Sequence, residues 1–412
     1  MVSIKAWGEV VAKLTELNGI YYFSLSPENS LNFSPIKLKE KAKSYEFSSL
    51  SFQNALPGLV NDSLPGVYGK EYLDSFFLKH FKTTPTIIET LQFLGENTMG
   101  ALTYEPTLEH KNLRRENLIL EASQLYDETK KALLGEADFS INEIIAISNS
   151  AAAGARPKAI VGFNKDTQKM HIGLKHTELP QGFVHAIVKF DNLLYNKSEA
   201  FSSFMSSSQT IGEYLYYLAA TKAGVVMSPS CLVESDGYHF VTQRFDIEQN
   251  RDTIERLHMH SLSGMMHHNP AETTFGYENI FKICELLSIS HEDKVQYFKT
   301  MLFNLIFGNT DDHSRNFSFL MDSKGKWRGA PAYDLTFSMN KRHQMMFEYK
   351  NGADVDEKHI LKMAQEYNIK NAASMIEEML EIKHSFLKEL ATQYGVLSWY
   401  EQVLHKTAKV FA

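Results

Sequence analysis

The segment FGNTDDHSRNFSFLMD, residues 307–322, sets apolar runs on both sides of a short polar loop, so buried elements must carry that loop. Asp311 and Asn316 stand five positions apart within it, and Asp334 follows eighteen positions after Asn316, in APAYDLTFS. Phosphoryl transfer requires a carboxylate to orient the attacking hydroxyl and accept its proton, and oxygen ligands to hold magnesium against the phosphates. Protein kinases take the base and an asparagine ligand from one loop at this Asp-x4-Asn spacing, and a second aspartate from a later loop. The competing account is ordinary loop chemistry, with Asp311 and Asp312 capping the following segment and Asn316 in a turn.

Two upstream features favour the first account. Lys189 ends the apolar, strand-like run HAIVKFD, where kinases place the lysine that meets the α- and β-phosphates; an edge-strand lysine reaching water is the alternative. In AAAGARPK, Ala153, Gly154 and Ala155 leave backbone amides uncovered, while Arg156 and Lys158 add positive charge. Such a loop can cradle a triphosphate. It matches neither a Walker A nor a GxGxxG pattern, and a flexible connection is its alternative. Glu213, on a helix expected from about Ile211 to Ala223, is placed to pair with Lys189 or to face solvent. The order of basic loop, lysine strand, helix, linking strands, Asp-x4-Asn and later Asp is that of a two-lobed kinase.

The expected fold class is α+β: a bilobal protein-kinase-like fold whose mixed α/β N-terminal lobe carries an extra strand-rich subdomain, with an all-helical C-terminal lobe. Residues 1–105 form the strand-rich subdomain, 106–247 the ATP-binding lobe and 248–412 the helical lobe. IYYFSL supplies strand signal in the first part, and Tyr72, Phe76, Phe77 and Phe81 recur at helical spacing after two Leu-Pro-Gly turns. In the second, Leu118, Leu120, Ala122 and Leu125 suggest helix, and Ser230–Val233 and His239–Thr242 suggest strands. In the third, Met375, Met379, Ile382, Phe386 and Leu390 step by three or four, placing them on one buried helix face.

A net charge of −7 argues against a broad nucleic-acid-binding face. Cys231 and Cys284 match no metal or disulfide framework, which fits a reducing cytoplasm. No secretory signal is visible, and the longest apolar runs, such as Met301–Phe307, are too short to cross a bilayer, so no membrane partner is expected. His258, His260, His267 and His268 invite a metal assignment, but no carboxylate or cysteine joins them at ligand spacing, and packing is the preferred account. KRHQMMFEYK reads as core packing or a partner surface.

GARPKA at 154–159, QRFD at 243–246, GNTDDHSRNFSF at 308–319 and AYDLTFS at 332–338 resemble the HipA family of toxin kinases. FSPIKL, LPGLVNDSLPGVYGKEYLDSF and LGENTMGALTYEP resemble that family's N-terminal domain, so the likeness spans nearly the whole chain. The resemblance implies a serine/threonine kinase using ATP and Mg2+. Asp311 is then the catalytic base, Asn316 and Asp334 the magnesium ligands, and His313 a neighbour of the nucleotide. Lys189 meets the phosphates beside the loop Ala153–Lys158, Gln243, Arg244 and Phe245 form the adenine hinge, and Tyr333 adjoins the nucleotide next to Asp334. It also implies a helix-turn-helix antitoxin of HipB type as partner, DNA contact only through that antitoxin, and an aminoacyl-tRNA synthetase as protein substrate. Family members autophosphorylate on a serine just before the GARPK-like motif. Ala151 stands at that position here, making Ser150 the expected site and Ser148 its alternative. A phosphate there adds about −1.5 to −2 charges beside Arg156 and Lys158. Arg315 stands where lysine is common, keeping the charge but not the donor geometry. The rivals are a catalytically silent module regulating transcription with its antitoxin, and a small-molecule kinase.

Overall fold

A computed structural model describes residues 1–408 apart from 41–42, 109–117, 135–156, 173–178, 192–205, 236, 250–252, 274, 340–341, 348–349 and 352–353. At the start of the chain, apolar and polar residues alternate through β1 (Val2–Ala6), β2 (Glu9–Leu17) and β3 (Ile20–Leu25). Positive φ at Trp7–Gly8 and again at Asn18–Gly19 gives the two-residue turns whose twist suits antiparallel hairpins. With β4 (Ser44–Glu46) and β5 (Leu102–Glu105) these strands form a sheet of order β4-β3-β2-β1-β5. Val2, Ile4, Phe23, Leu59 and Tyr104 fill its core. Helices α1 (Gly58–Asn61), α2 (Val67–Phe81) and α3 (Ile87–Leu94) lie between β4 and β5, the last started by a Thr86–Glu89 capping box.

The second sheet takes β6 (Leu118–Leu120), β7 (Lys158–Phe163), β8 (Met170–Ile172), β9 (Val184–Lys189), β10 (Ser230–Glu234) and β11 (Tyr238–Gln243) in the order β10-β11-β9-β7-β8-β6. Helix α4 (Ala122–Leu134) follows β6, and α5 (Ser206–Lys222) follows β9. Leu118 and Leu120 are therefore strand, not helix. Their alternation is period two, β8 offers them an edge, and helical spacing starts only at Ala122. On one face Ala159, Val161, Ala186 and Val188 pack against Tyr72, Phe76 and Phe77 of α2 and Tyr126 of α4. The register Lys158↔Lys189 and Ile160↔Ile187 turns those four residues to the opposite face.

Beyond residue 248 the expected all-helical region is corrected. Helices α6 (Leu262–Met266), α7 (Glu278–Leu286), α8 (His291–Phe307), α9 (Glu357–Glu366), α10 (Ala372–Glu381), α11 (Leu387–Gln393) and α12 (Leu397–Thr407) share this region with several strands. These are the hairpins β12 (Ile247–Gln249) with β13 (Ile254–Arg256) and β17 (Met346–Phe347) with β18 (Lys350–Asn351), and a sheet of β14 (His258–Ser261), β15 (Ser318–Met321) and β16 (Trp327–Gly329). Each strand has at most four residues, too few for alternation to register against the helical signal around it. The stripe through α10 and α11 holds at Met379, Ile382 and Leu390, while Met375 and Phe386 are half-buried. A π turn at Ile382–Phe386 adds a residue and rotates the buried face onto Leu387 and Ala391. Helix α5 packs Ile211, Leu215 and Tyr216 into this same core, and the Tyr216 hydroxyl donates to the Phe307 carbonyl at 2.6 Å.

Front sheet and helical region meet through polar contacts. Asp62 Oδ2 accepts from His260 Nδ1 at 2.7 Å and from the Ser261 amide at 2.8 Å, and its Oδ1 accepts from the Ser261 hydroxyl at 2.7 Å. His258 donates to the Phe33 carbonyl at 2.8 Å, and His267 accepts from the Gly58 amide at 3.1 Å. Burial pulls the His258 pKa down to about 3 and that of His267 to about 4, so both imidazoles are neutral near pH 7. His268 meets the Ser314 hydroxyl at 3.1 Å. The histidine cluster that invited a metal is thus a set of joints. Backbones approach closely there: a Cβ on Gly58 would lie 2.0 Å from the Gly264 carbonyl oxygen.

Gly58→Ala should therefore cost roughly 1–3 kcal/mol in urea unfolding through forced separation of the two parts; an unchanged midpoint would show the approach is not required. Burial pushes the Asp62 pKa up, but the hydrogen bond and charge of His260, with the hydrogen bonds of Ser261, outweigh it and leave it below the usual value. A depressed carboxylate contributes stability that is present above the unfolded pKa, ~3.9, and is lost as pH falls through the folded one. Asp62→Ala should lose about 3–5 kcal/mol at pH 7, with the gap to wild type narrowing below about pH 4.

Candidate active site

Helix α8 carries the polar loop. Ser290 caps its start by accepting from the Asp293 amide, and every residue from Met301 to Phe307 is buried, so the loop leaves a rigid core element. Gly308 ends it in the left-handed conformation, φ +71°. Asn309 then folds back on Asn304 through amide and side chain, at 3.0 and 2.9 Å. Asn304 donates to the Tyr277 hydroxyl at 3.2 Å, and that hydroxyl donates to Asp312 Oδ2 at 2.6 Å.

The two aspartates of the loop point to different fates. Asp312 is fully buried and also takes His343 Nδ1 at 2.8 Å and the Gln344 amide at 2.7 Å. Burial raises its pKa, but the charge and hydrogen bond of His343 with the other donors bring it below the usual range. Asp311 is half-buried, and its Oδ1 accepts from Gln344 Nε2 at 2.7 Å. The Asp311 carbonyl accepts from Asn316 Nδ2 at 2.9 Å across the short turn Ser314–Asn316. With its nitrogen so engaged, Asn316 retains its amide oxygen for a cation. His313, half-buried just before the turn, has a buried Nδ1 without a partner among the described residues.

Tyr333 stitches the later segment to this loop. Its hydroxyl donates to the Arg315 carbonyl at 2.5 Å and meets the Ser318 hydroxyl at 2.6 Å, while its ring lies 5.3 Å from that of Phe245. Asp334 follows with φ +56°, a left-handed conformation that costs a non-glycine residue energy and clusters at functional positions. Asp334 Oδ1 sits 2.5 Å from Lys189 Nζ, and Lys189 also pairs with the buried Glu213. Burial pulls the Lys189 pKa down, but Asp334 and Glu213 together push it above the usual lysine value, so the cation is retained. Lys158, also buried, is its cross-strand neighbour.

Lys189, Asn316, Asp311 and Asp334 are thus drawn into one connected region, with Phe245 reached through Tyr333. Gln243 ends β11 half-buried, its amide donating to the Pro229 carbonyl at 2.9 Å. Arg244 departs from expectation: its guanidinium is buried on Asp246 at 2.6 Å and on the Thr98 carbonyl at 3.0 Å, and its amide is spent on His185. Its charge is consumed as a structural ion pair. Ala153, Gly154, Ala155, Arg156 and the serines at 148 and 150 lie outside the described residues.

Three residues escaped the sequence reading, and Asp312, read there only as a cap, takes a different role. Asp312, Tyr277 and Gln344 form the lattice described above, of which the doubled aspartate was the sole visible sign. Lys406 of α12 donates to the Gly308 carbonyl at 3.1 Å, to Thr310 Oγ1 at 2.7 Å and to the Ser338 carbonyl, joining the loop to the segment after Asp334. Burial lowers its pKa to about 8. Nothing local to Lys406 in sequence signals this.

The arrangement offers a buried cation held between carboxylates and a partly exposed carboxylate on Asp311. Known proteins resemble the chain in sequence and in fold. A protein of Sinorhizobium fredii, Y4mE, provisionally named a kinase, is 32% identical over 125 residues, which span 28% of this chain and 29% of that protein. The HipA of Shewanella oneidensis MR-1, solved with HipB and operator DNA, superposes over 100% of this chain and 97% of its own, at a TM-score of 0.69 and 14% identity. That likeness establishes a shared fold. The HipA-like C-terminal domain family matches residues 150–386, more than half of the sequence, and the chain belongs to that family.

Proposed function

We propose that this protein is an ATP- and magnesium-dependent kinase that phosphorylates serine or threonine in a protein, and that it is the toxin of a HipBA-like toxin–antitoxin pair. The observation that carries the proposal is the Lys189–Glu213–Asp334 ion cluster tied, through Tyr333, to the loop bearing Asp311 and Asn316. A solely architectural loop has no need of a partly exposed carboxylate, a strained aspartate and a buried lysine in one region.

In this mechanism the nucleotide lies between the six-stranded sheet and the helical region. Lys189 leaves Asp334 for the α- and β-phosphate oxygens while Glu213 keeps it aimed. Asn316 and Asp334 would hold magnesium, which supplies charge neutralisation on the phosphates when bound. Asp311 accepts the proton of the substrate hydroxyl as that oxygen bonds to the γ-phosphorus and the bond to the bridging oxygen of ADP breaks. The family resemblance implies an aminoacyl-tRNA synthetase as substrate, a HipB-type antitoxin as partner, and Ser150 as the self-phosphorylation site. The Shewanella complex of HipA, HipB and operator DNA supports the choice of partner.

With γ-labelled ATP and magnesium, the wild-type chain should place label on serine or threonine, and Asp311→Ala should reduce the rate by about 10²–10⁴-fold. Equal labelling of both proteins would remove Asp311 as the base, and an unlabelled, unphosphorylated wild type would overturn the kinase assignment. Asp334→Ala should abolish magnesium-dependent gain in nucleotide affinity by calorimetry; an unchanged gain would take it out of the metal site.

A further inference from the structure

We propose that Gln344 is a positioning residue for the transfer reaction, fixing the Asp311 carboxylate, and that buried Asp312 serves to hold Gln344 there; this rests on the kinase function proposed above. The doubled aspartate puts two carboxylates side by side in sequence with opposite environments. Asp312 has no exposed surface, and four donors meet it: the Tyr277 hydroxyl, His343 Nδ1, and the amides of Gln344 and Met345 at 2.7 and 3.3 Å. A carboxylate accepts only, so His343 carries its proton on Nδ1. Three of these donors come from residues 343–345, a segment remote from the loop in sequence. A buried charge tolerates no loose partner, so this segment is locked to the loop. Met345 and Phe347, both buried in the helical core, anchor it from the other side.

The locked segment presents one side chain to Asp311. Gln344 Nε2 lies 2.7 Å from Asp311 Oδ1, and an amide nitrogen can only donate, so the contact has a fixed polarity. The Asp311 backbone is held separately by Asn316. Carboxylate rotation is therefore arrested with Oδ1 occupied and Oδ2 without a partner among the described residues, available to a substrate hydroxyl. Precise orientation of a base is worth orders of magnitude in rate. A donor lost from an ionised carboxylate typically changes an equilibrium by about 10–100-fold.

The test compares Gln344→Met, which keeps the bulk and removes the donor, and Gln344→Glu, which puts oxygen in place of the donating nitrogen. Wild type and Asp311→Ala run beside them, all as the full chain. Initial rates of label transfer from ATP with magnesium are measured into the chain itself and into dephosphorylated casein. Affinity for a non-hydrolysable ATP analogue with magnesium, and the melting temperature, are measured separately. Gln344→Met should transfer about 10–100-fold more slowly, with analogue affinity within about twofold of wild type and melting temperature within a few degrees. Gln344→Glu should fall at least as far, and it carries the same comparison if the methionine variant does not fold. Wild-type rates in both variants would overturn the proposal, as would parallel loss of rate, affinity and melting temperature, which marks a structural contact only. A wild type that transfers no label, or an Asp311→Ala variant as active as wild type, would instead defeat the kinase assignment and this proposal with it.

Discussion

A carboxylate withdrawn from water is tolerated when donors meet both of its oxygens, and in this protein that requirement fixes how distant segments sit together. Asp62 draws β14 onto the front sheet through His260 and Ser261. Asp246 takes Arg244 and the Gly100 amide, tying β11 to the approach to β5. Asp312 binds the polar loop to Tyr277 and residues 343–345. Hydrophobic burial supplies the bulk of the driving force but little direction. The three carboxylates, each demanding particular donors from remote parts of the chain, select one arrangement of the cores.

The region around Asp311 inherits its order from these joints. Helix α6 packs against the front through Gly58 and Gly264, while His268, just beyond it, meets Ser314 in the polar loop. Helix α1 is therefore two contacts away from Ser314. Helix α5 places Glu213 against Lys189 on one side and Tyr216 among Phe303, Phe307 and Trp399 on the other. The lysine strand and the helix that delivers the loop are thereby held by a common element.

Much of this was legible in the sequence because it is local. An apolar, strand-like run announced β9, and with it Lys189; helical spacing announced α2; the spacing of Asp311, Asn316 and Asp334 singled out the loop and the later segment. What escaped is what depends on partners far along the chain. Asp312 and Asp311 are the same residue type at adjacent positions, and only the arrival of His343 and Gln344 separates an anchor from a half-buried carboxylate. Arg244, within the expected hinge, gives its charge to Asp246, a pairing that the motif QRFD alone did not reveal. Leu118 and Leu120 stand too close to the helical spacing that begins at Ala122 to be told apart from it until β8 supplies an edge. The strands beyond residue 248 were hidden by their shortness, since two to four residues show no periodicity against a helical background.

Lys406 bears on the order in which the protein is made. The lysine that bridges Gly308, Thr310 and Ser338 follows Gly308 by 98 positions and Ser338 by 68. At the roughly 5–20 residues per second of translation, the loop waits several seconds for it. During that interval a nascent chain has its whole polar loop in place and lacks the cation that clasps it. The ribosome itself thus imposes a delay between synthesis of these residues and their final fastening.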